Sequence, residues 1–183
     1  SEGKAARFKE SDVRAMGRTA RGVRGIRLGE GHRMISLIIP EAGGKVLSVS
    51  ENGYGKRTEI DEFPSKGRGN KGVIAMSTSA RNGKLVGAVQ VFDGDELMLI
   101  SNQGTMVRTR TDEVSVLGRN TQGVRVIRTK EGEFLVGVER IDEPAQDPDL
   151  FGPDDADSAD TASADADSAA PKTNDETGDD GAE

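Results

Sequence analysis

The sequence predicts an all-β, propeller-like array of about three four-stranded blades over residues 1–143, followed by an acidic, disordered tail over 144–183. Three observations predict it. A glycine-marked pattern recurs three times, the apolar runs are short and β-branched, and charge divides sharply between the two parts.

The repeats begin near Gly3, Gly53 and Gly104, spaced 50 and 51 residues apart. Four residues after each stands an arginine (Arg7, Arg57, Arg108), and eight or nine after each an aspartate (Asp12, Asp61, Asp112). Fourteen residues on comes a second glycine (Gly17, Gly67, Gly118), and five later a third (Gly22, Gly72, Gly123). Each unit therefore carries one corner: "GRTARGVRGIR" (17–27), "GRGNKGVIAM" (67–76) and "GRNTQGVRVIR" (118–128). A period of this length points to a solenoid, a propeller or an array.

Within the units, "KAARFK" (4–9), "GKRTEI" (55–60) and "MVRTRT" (106–111) read as strands with basic residues on one face. "RMISLII" (33–39), "KVLSVS" (45–50), "LVGAVQVF" (85–92), "ELMLIS" (96–101) and "FLVGVERI" (134–141) are bounded by Gly, Asn or Asp and read the same way. "ENGYG" (51–55) and "DGDE" (93–96) are hairpin-type turns. With "GVRGIRL" and its counterparts, each unit has about four strands, the content of one propeller blade. No window keeps a helical period over ten or more residues. The first unit lacks the strand that "KVLSVS" and "ELMLIS" place ahead of the later ones. Three blades do not close a ring, so the chain reads as a piece of something longer, or as an open arc.

Past Pro144 the pattern stops. Residues 144–183 hold 13 acids and one base (Lys172), a net −12, whereas residues 1–143 hold 24 bases and 19 acids, a net +5. The acidic pI hides a basic body, which points to an anionic partner. The tail has too few large apolar groups to offset the entropy of ordering. "DADSAD" (155–160) lacks the turn glycine and terminal Glu of a calcium loop.

The catalytic inventory is thin. The chain has no Cys, which removes disulfides, thiolate metal sites and a Cys nucleophile. A single histidine, His32, in the turn "GEGHRM", provides no triad. "GRGNKG" lacks the ending of a phosphate-cradling Walker loop. Asp12, Asp61 and Asp112 lie too far apart in sequence for a metal cluster, and the expected role is a hydrogen bond to a turn or pairing with an Arg. Tyr54 takes the place of Lys4 and Thr105 in the other units and reads as structural or superficial. No catalytic, cofactor-binding or metal-binding residue is expected. No apolar run is long enough to span a bilayer and no signal peptide is visible, so the expectation is a soluble, cytoplasmic chain.

What remains is the basic set. Arg7, Arg18, Arg21 and Arg24 in the first unit, Lys56, Arg57, Lys66, Arg68 and Lys71 in the second, and Arg108, Arg110, Arg119 and Arg125 in the third are the candidate DNA-binding residues. Arginine at equivalent places on successive blades would form a continuous positive rim suited to duplex phosphates. Direct base reading is not expected without a recognition helix. Any sequence preference would come from how easily the DNA bends.

The motifs "GKAARFKESDVRAMGRTARGVRGIRLGEG", "ENGYGKRTEIDEFPSKGRGNKGVI" and "NQGTMVRTRTDEVSVLGRNTQGVRVIRT" closely resemble the C-terminal domains of DNA gyrase A subunits, from about Gly3 to Glu143. The resemblance implies a β-pinwheel, a propeller variant whose blades exchange strands, with this chain as its last three blades plus the tail. It also implies wrapping of double-stranded DNA round the rim, in an ATP-driven type II topoisomerase that introduces negative supercoils. The partners so implied are the rest of the A subunit, together with the B subunit in an A2B2 assembly, with ATP and Mg bound elsewhere. The cleaving tyrosine belongs to the N-terminal part of such A subunits and is not Tyr54. The wrapping motif Gln-Arg-Arg-Gly-Gly-Lys-Gly has only the partial match "KGRGNKG" (66–72), sharing Arg68, Gly69, Lys71 and Gly72. That stretch is read as the same corner of a later blade, so this chain alone is expected to bind DNA weakly. The related topoisomerase IV A subunits, or a protein-binding propeller, are the alternatives. The tail would either compete with DNA phosphates for the rim or act as a solubilising segment.

Overall fold

Short β-branched runs become strands here wherever another run stands ready to pair with them. The computed structural model describes residues 1–141, which lie within one compact unit, Ser1–Glu143. The acidic tail and "DADSAD" fall outside the described residues. In chain order the strands are β1 (Lys4–Ala5), β2 (Lys45–Ser50), β3 (Tyr54–Glu59), β4 (Val73–Ile74), β5 (Leu85–Val91), β6 (Glu96–Ser101), β7 (Met106–Arg110), β8 (Val124–Arg125) and β9 (Leu135–Ile141). Among the described residues the helical content is three one-turn 3-10 segments, Glu10–Asp12, Ile60–Glu62 and Thr111–Glu113. The all-β class follows.

The sheets run β5-β2-β3-β8, β7-β6-β9 and β1-β4, and each pairing is antiparallel. Their membership crosses the repeat boundaries. β8 belongs to the third repeat but completes the sheet of the second, with Tyr54 opposite Arg125. β4 belongs to the second repeat and pairs with β1 of the first, with Lys4 opposite Ile74. The second and third repeats thus each lend a corner strand to the blade before them. The expected three four-stranded blades therefore become sheets of four, three and two strands. Only the middle blade combines three strands of its own with a lent one.

Two local expectations change for the same reason. "RMISLII" (33–39) forms no strand. Its counterparts β5 and β9 pair with β2 and β6, and the first repeat has no strand in that place. Met34, Leu37 and Ile39 consequently stay exposed. "DGDE" is not a hairpin, because β5 and β6 on its two sides belong to different sheets; it carries the chain from one blade to the next. "ENGYG" does close a hairpin, between β2 and β3.

The main core lies between the second and third blades. Leu47, Val49 and Val91 meet Leu97, Leu99, Val114, Leu135 and Val138. Alternation along β6 sends Leu97 and Leu99 inward, as the period of two requires. Two glycines let the exchanged strand come close. A Cβ at Gly53 would stand 2.4 Å from the Ile127 carbonyl oxygen, and one at Gly123 would stand 2.6 Å from that of Gly55. Both residues also hold positive φ, +76° and +79°, which a side chain resists.

Candidate nucleic-acid interface

The repeated arginines have different fates according to their place in the repeat. In the first two repeats the arginine four residues after the leading glycine turns into the joint between blades. Arg7 donates through Nη1 to the carbonyls of Ile60 (2.9 Å) and Phe63 (3.1 Å) in the next repeat, with Asp61 at 3.8 Å. Arg57 repeats the contact one blade on. Its Nε donates to the Val114 carbonyl at 2.7 Å, and Nη1 lies 3.7 Å from Asp112 and 2.7 Å from Asp93. The repeated aspartate is therefore the acceptor beside the previous blade's arginine. Asp61 and Asp112 are well exposed, so these ion pairs add little by themselves. The carbonyl contacts hold the joint.

Arg57 is only 7% exposed and Lys56 is 0% exposed. Both were expected on the rim, and the structure places both inside. Lys56 Nζ donates to the carbonyls of Gly118 (2.7 Å) and Arg119 and to Thr121 Oγ1 (3.1 Å), so each of its three N–H groups has an acceptor in the third corner. Burial pushes its pKa down to about 8, with Glu62 opposing and Arg119 assisting.

In the second and third repeats the arginine fifteen residues after the leading glycine is a second clasp, running backwards. Arg68 Nε donates to the Asp12 carbonyl at 2.9 Å, and Arg119 Nε donates to the equivalent Glu62 carbonyl at 3.1 Å. Arg119 Nη1 also reaches the Ile74 carbonyl at 3.0 Å. Arg108 pairs with Glu96 across the β6–β7 ladder. Arg125 donates to the Tyr54 hydroxyl at 3.0 Å.

Six of the candidates keep exposed side chains with no hydrogen-bond or ion-pair partner among the described residues: Arg18, Arg21, Arg24, Lys66, Lys71 and Arg110. Five of them sit on two corners that touch. Gly69 N donates to the Gly25 carbonyl, Arg27 N donates to the Asn70 carbonyl at 2.7 Å, and Arg68 Nη1 reaches the Arg24 carbonyl. The third corner continues the run, since Ser77 N donates to the Thr121 carbonyl at 3.0 Å. The structure thus brings the three corners into one succession while burying Lys56 and Arg57 and tying the half-exposed Arg7 to the next repeat. Sequence reasoning missed Arg81. It lies outside the triplicated pattern, and it also reaches Tyr54, with Nε 3.2 Å from the hydroxyl.

Residues 1–41, 44–91 and 95–142 match a family model described as the DNA gyrase C-terminal domain, beta-propeller. The chain belongs to this DNA gyrase C-terminal domain family. The three matched stretches follow the three repeats. The DNA gyrase A subunit of Pseudomonas aeruginosa is 61% identical over 145 residues, which are 79% of this chain and 16% of that protein. The chain spans about a sixth of the length of such curated relatives. Among solved structures, one of a DNA gyrase A C-terminal domain superposes with a TM-score of 0.70 at 31% identity, over 76% of this chain and 47% of that one. The C-terminal domain of a DNA topoisomerase IV gives a TM-score of 0.71 at 24% identity, over 76% of this chain and 44% of that one. The topoisomerase IV likeness is one of fold. The sequence identity favours the gyrase side of the family, in which the exchanged β4 and β8 are the strand exchange expected of a pinwheel. Among the described residues no helix is long and apolar enough to cross a membrane.

Proposed function

We propose that this chain is the part of a DNA gyrase A subunit that grips and wraps duplex DNA through its phosphates. It would act within an ATP-driven, cytoplasmic type II topoisomerase that introduces negative supercoils. The cleavage chemistry, ATP and Mg would belong to the rest of the A subunit, or to the B subunit, joined as A2B2. The observation that carries the reading is the exposed cation set on touching corners, Arg18, Arg21, Arg24, Lys66 and Lys71, in a chain of this family. Arg110 is a further candidate on the third blade. Arg68, Arg108, Arg119 and Arg125 already have protein partners, but each guanidinium carries five N–H donors and can share some with a phosphate. Lys56 and Arg57 would support the surface from inside without touching DNA, whereas the half-exposed Arg7 keeps N–H donors beyond the Nη1 that holds the next repeat.

The test is a titration of linear duplex DNA at several salt concentrations. Binding should weaken steeply with salt, and R21A/K71A should lower the slope of log K against log salt by about two. Absence of binding at low salt would favour a protein-binding propeller instead. In the full-length protein, assembled with its partner, relaxed plasmid should become negatively supercoiled. Decatenation without supercoiling would place the chain with topoisomerase IV.

A further inference from the structure

The one tyrosine of the chain is held by two arginines from different repeats. Tyr54 sits on β3 and is 4% exposed. Arg125 stands opposite it in register on the lent strand β8, and Arg81 comes from the turn after β4. Arg125 Nη2 and Arg81 Nε donate to the same phenol oxygen, at 3.0 and 3.2 Å. Their guanidinium carbons also lie 5.4 and 5.1 Å from the centre of its ring.

The Arg81 turn is built firmly. Asn82, fully buried, donates to the carbonyls of Ser77 (2.9 Å) and Gln122 (3.2 Å) and accepts from Ser79 N at 2.8 Å. Asn52 Nδ2 donates to the carbonyls of Ala80 (3.2 Å) and Arg81 (3.0 Å). Both arginine side chains are nevertheless exposed, and neither has a carboxylate partner among the described residues. A phenol can accept from two guanidiniums, but it neutralises neither. Like charges brought onto one oxygen repel, and most of their N–H donors remain unused. An oxyanion completes such a site, because planar guanidinium forks match phosphate geometry.

The other blades do not repeat it. Lys4 occupies the equivalent place in the first repeat and is paired with Glu2 at 2.9 Å, and Thr105 occupies it in the third. The phenol proton responds to the same field: Arg125 first, then Arg81, lower the Tyr54 pKa below its ordinary value.

We propose that Arg81 and Arg125, gathered by Tyr54, form a phosphate-binding site on the middle blade whose occupant is a phosphate of duplex DNA. This rests on the DNA-binding reading above, and it adds Arg81 to the contact set. Because Tyr54 is the only tyrosine, feeding the chain 13C-labelled tyrosine gives the ring signals of that residue alone. Inorganic phosphate, titrated against chloride at matched ionic strength, should shift them, and so should a short duplex. R81Q/R125Q should abolish both shifts, weaken DNA binding by about tenfold or more, and lower the salt slope by about two. Tyr54→Phe, which removes no charge, should also weaken DNA binding, because it frees the two guanidiniums from their common anchor. If the chain binds DNA, the ring signals stay still and R81Q/R125Q binds as tightly as the wild type, the site is refuted while the DNA reading stands. If phosphate shifts the signals but no duplex binds, the DNA assignment of the site and the DNA reading fall together.

Discussion

At the residue scale, burial decides which cations are available. Arg7 and Arg18 share a side-chain type and a repeat. Yet Arg7 is half-buried and commits its Nη1 to two carbonyls of the next blade, while Arg18 is exposed and meets no partner among the described residues. Lys56 is the sharpest case, since a fully buried ammonium is costly unless every proton finds an acceptor. Here the Gly118 and Arg119 carbonyls and Thr121 Oγ1 supply the acceptors, yet desolvation still lowers the pKa from 10.5 to about 8. The folded chain then releases that proton first as pH rises. Between about 8 and 10.5 the unfolded chain holds more protons, so stability should rise with pH in that window. Below it the penalty is carried in full. The measurement is the melting temperature of wild type against Lys56→Met from about pH 7 to 10. The wild type should gain on the variant above about pH 8. A wild type that loses ground instead would mean the three acceptors favour the charged form more than burial opposes it.

At the element scale, the repeat was legible in the sequence because turns and close approaches demand glycine at fixed places. The leading and third glycines have that reason. The middle one does not: Gly17, Gly67 and Gly118 hold no positive φ, and a Cβ at Gly17 or Gly67 would meet nothing within 4 Å. Nothing in the structure explains their recurrence. Gly53→Ala should therefore destabilise the chain by on the order of 2 kcal/mol or more, since the exchanged strand must move away. Gly67→Ala should leave the unfolding midpoint almost unchanged. Chemical denaturation of the two variants separates them, and equal losses would refute the account of the joint. The lending of strands was legible only through the family resemblance and not in the local pattern, because β4 and β8 are two residues long and carry no period. Nor was the direction of Arg7 and Arg57, which depends on a neighbouring blade. The signal that could have revealed it was the aspartate recurring with each arginine, a pair shared between successive repeats. Arg81 left no such trace, since only position in space joins it to Arg125.

At the scale of the whole molecule, charge distribution controls affinity more than any single contact does. The body carries +5 and the tail −12, so the intact chain approaches a polyanion with a net charge of the wrong sign. Association still follows, on the reading above, because the touching corners concentrate cations locally and phosphate contacts release counterions. On the competing reading of the tail, a tethered polyanion would contend for those cations at a high effective concentration whatever the bulk concentration of DNA. Deleting 144–183 should therefore tighten duplex binding at low salt. The gain should shrink as salt rises, because the screening length falls from about 10 Å at 0.1 M to about 3 Å at 1 M. Competition and simple solubilisation are separated by one comparison, the affinities of residues 1–143 and of the full chain across a salt series. Converging curves indicate that the tail occupies the phosphate sites. Coincident curves at every salt would leave it with solubility alone.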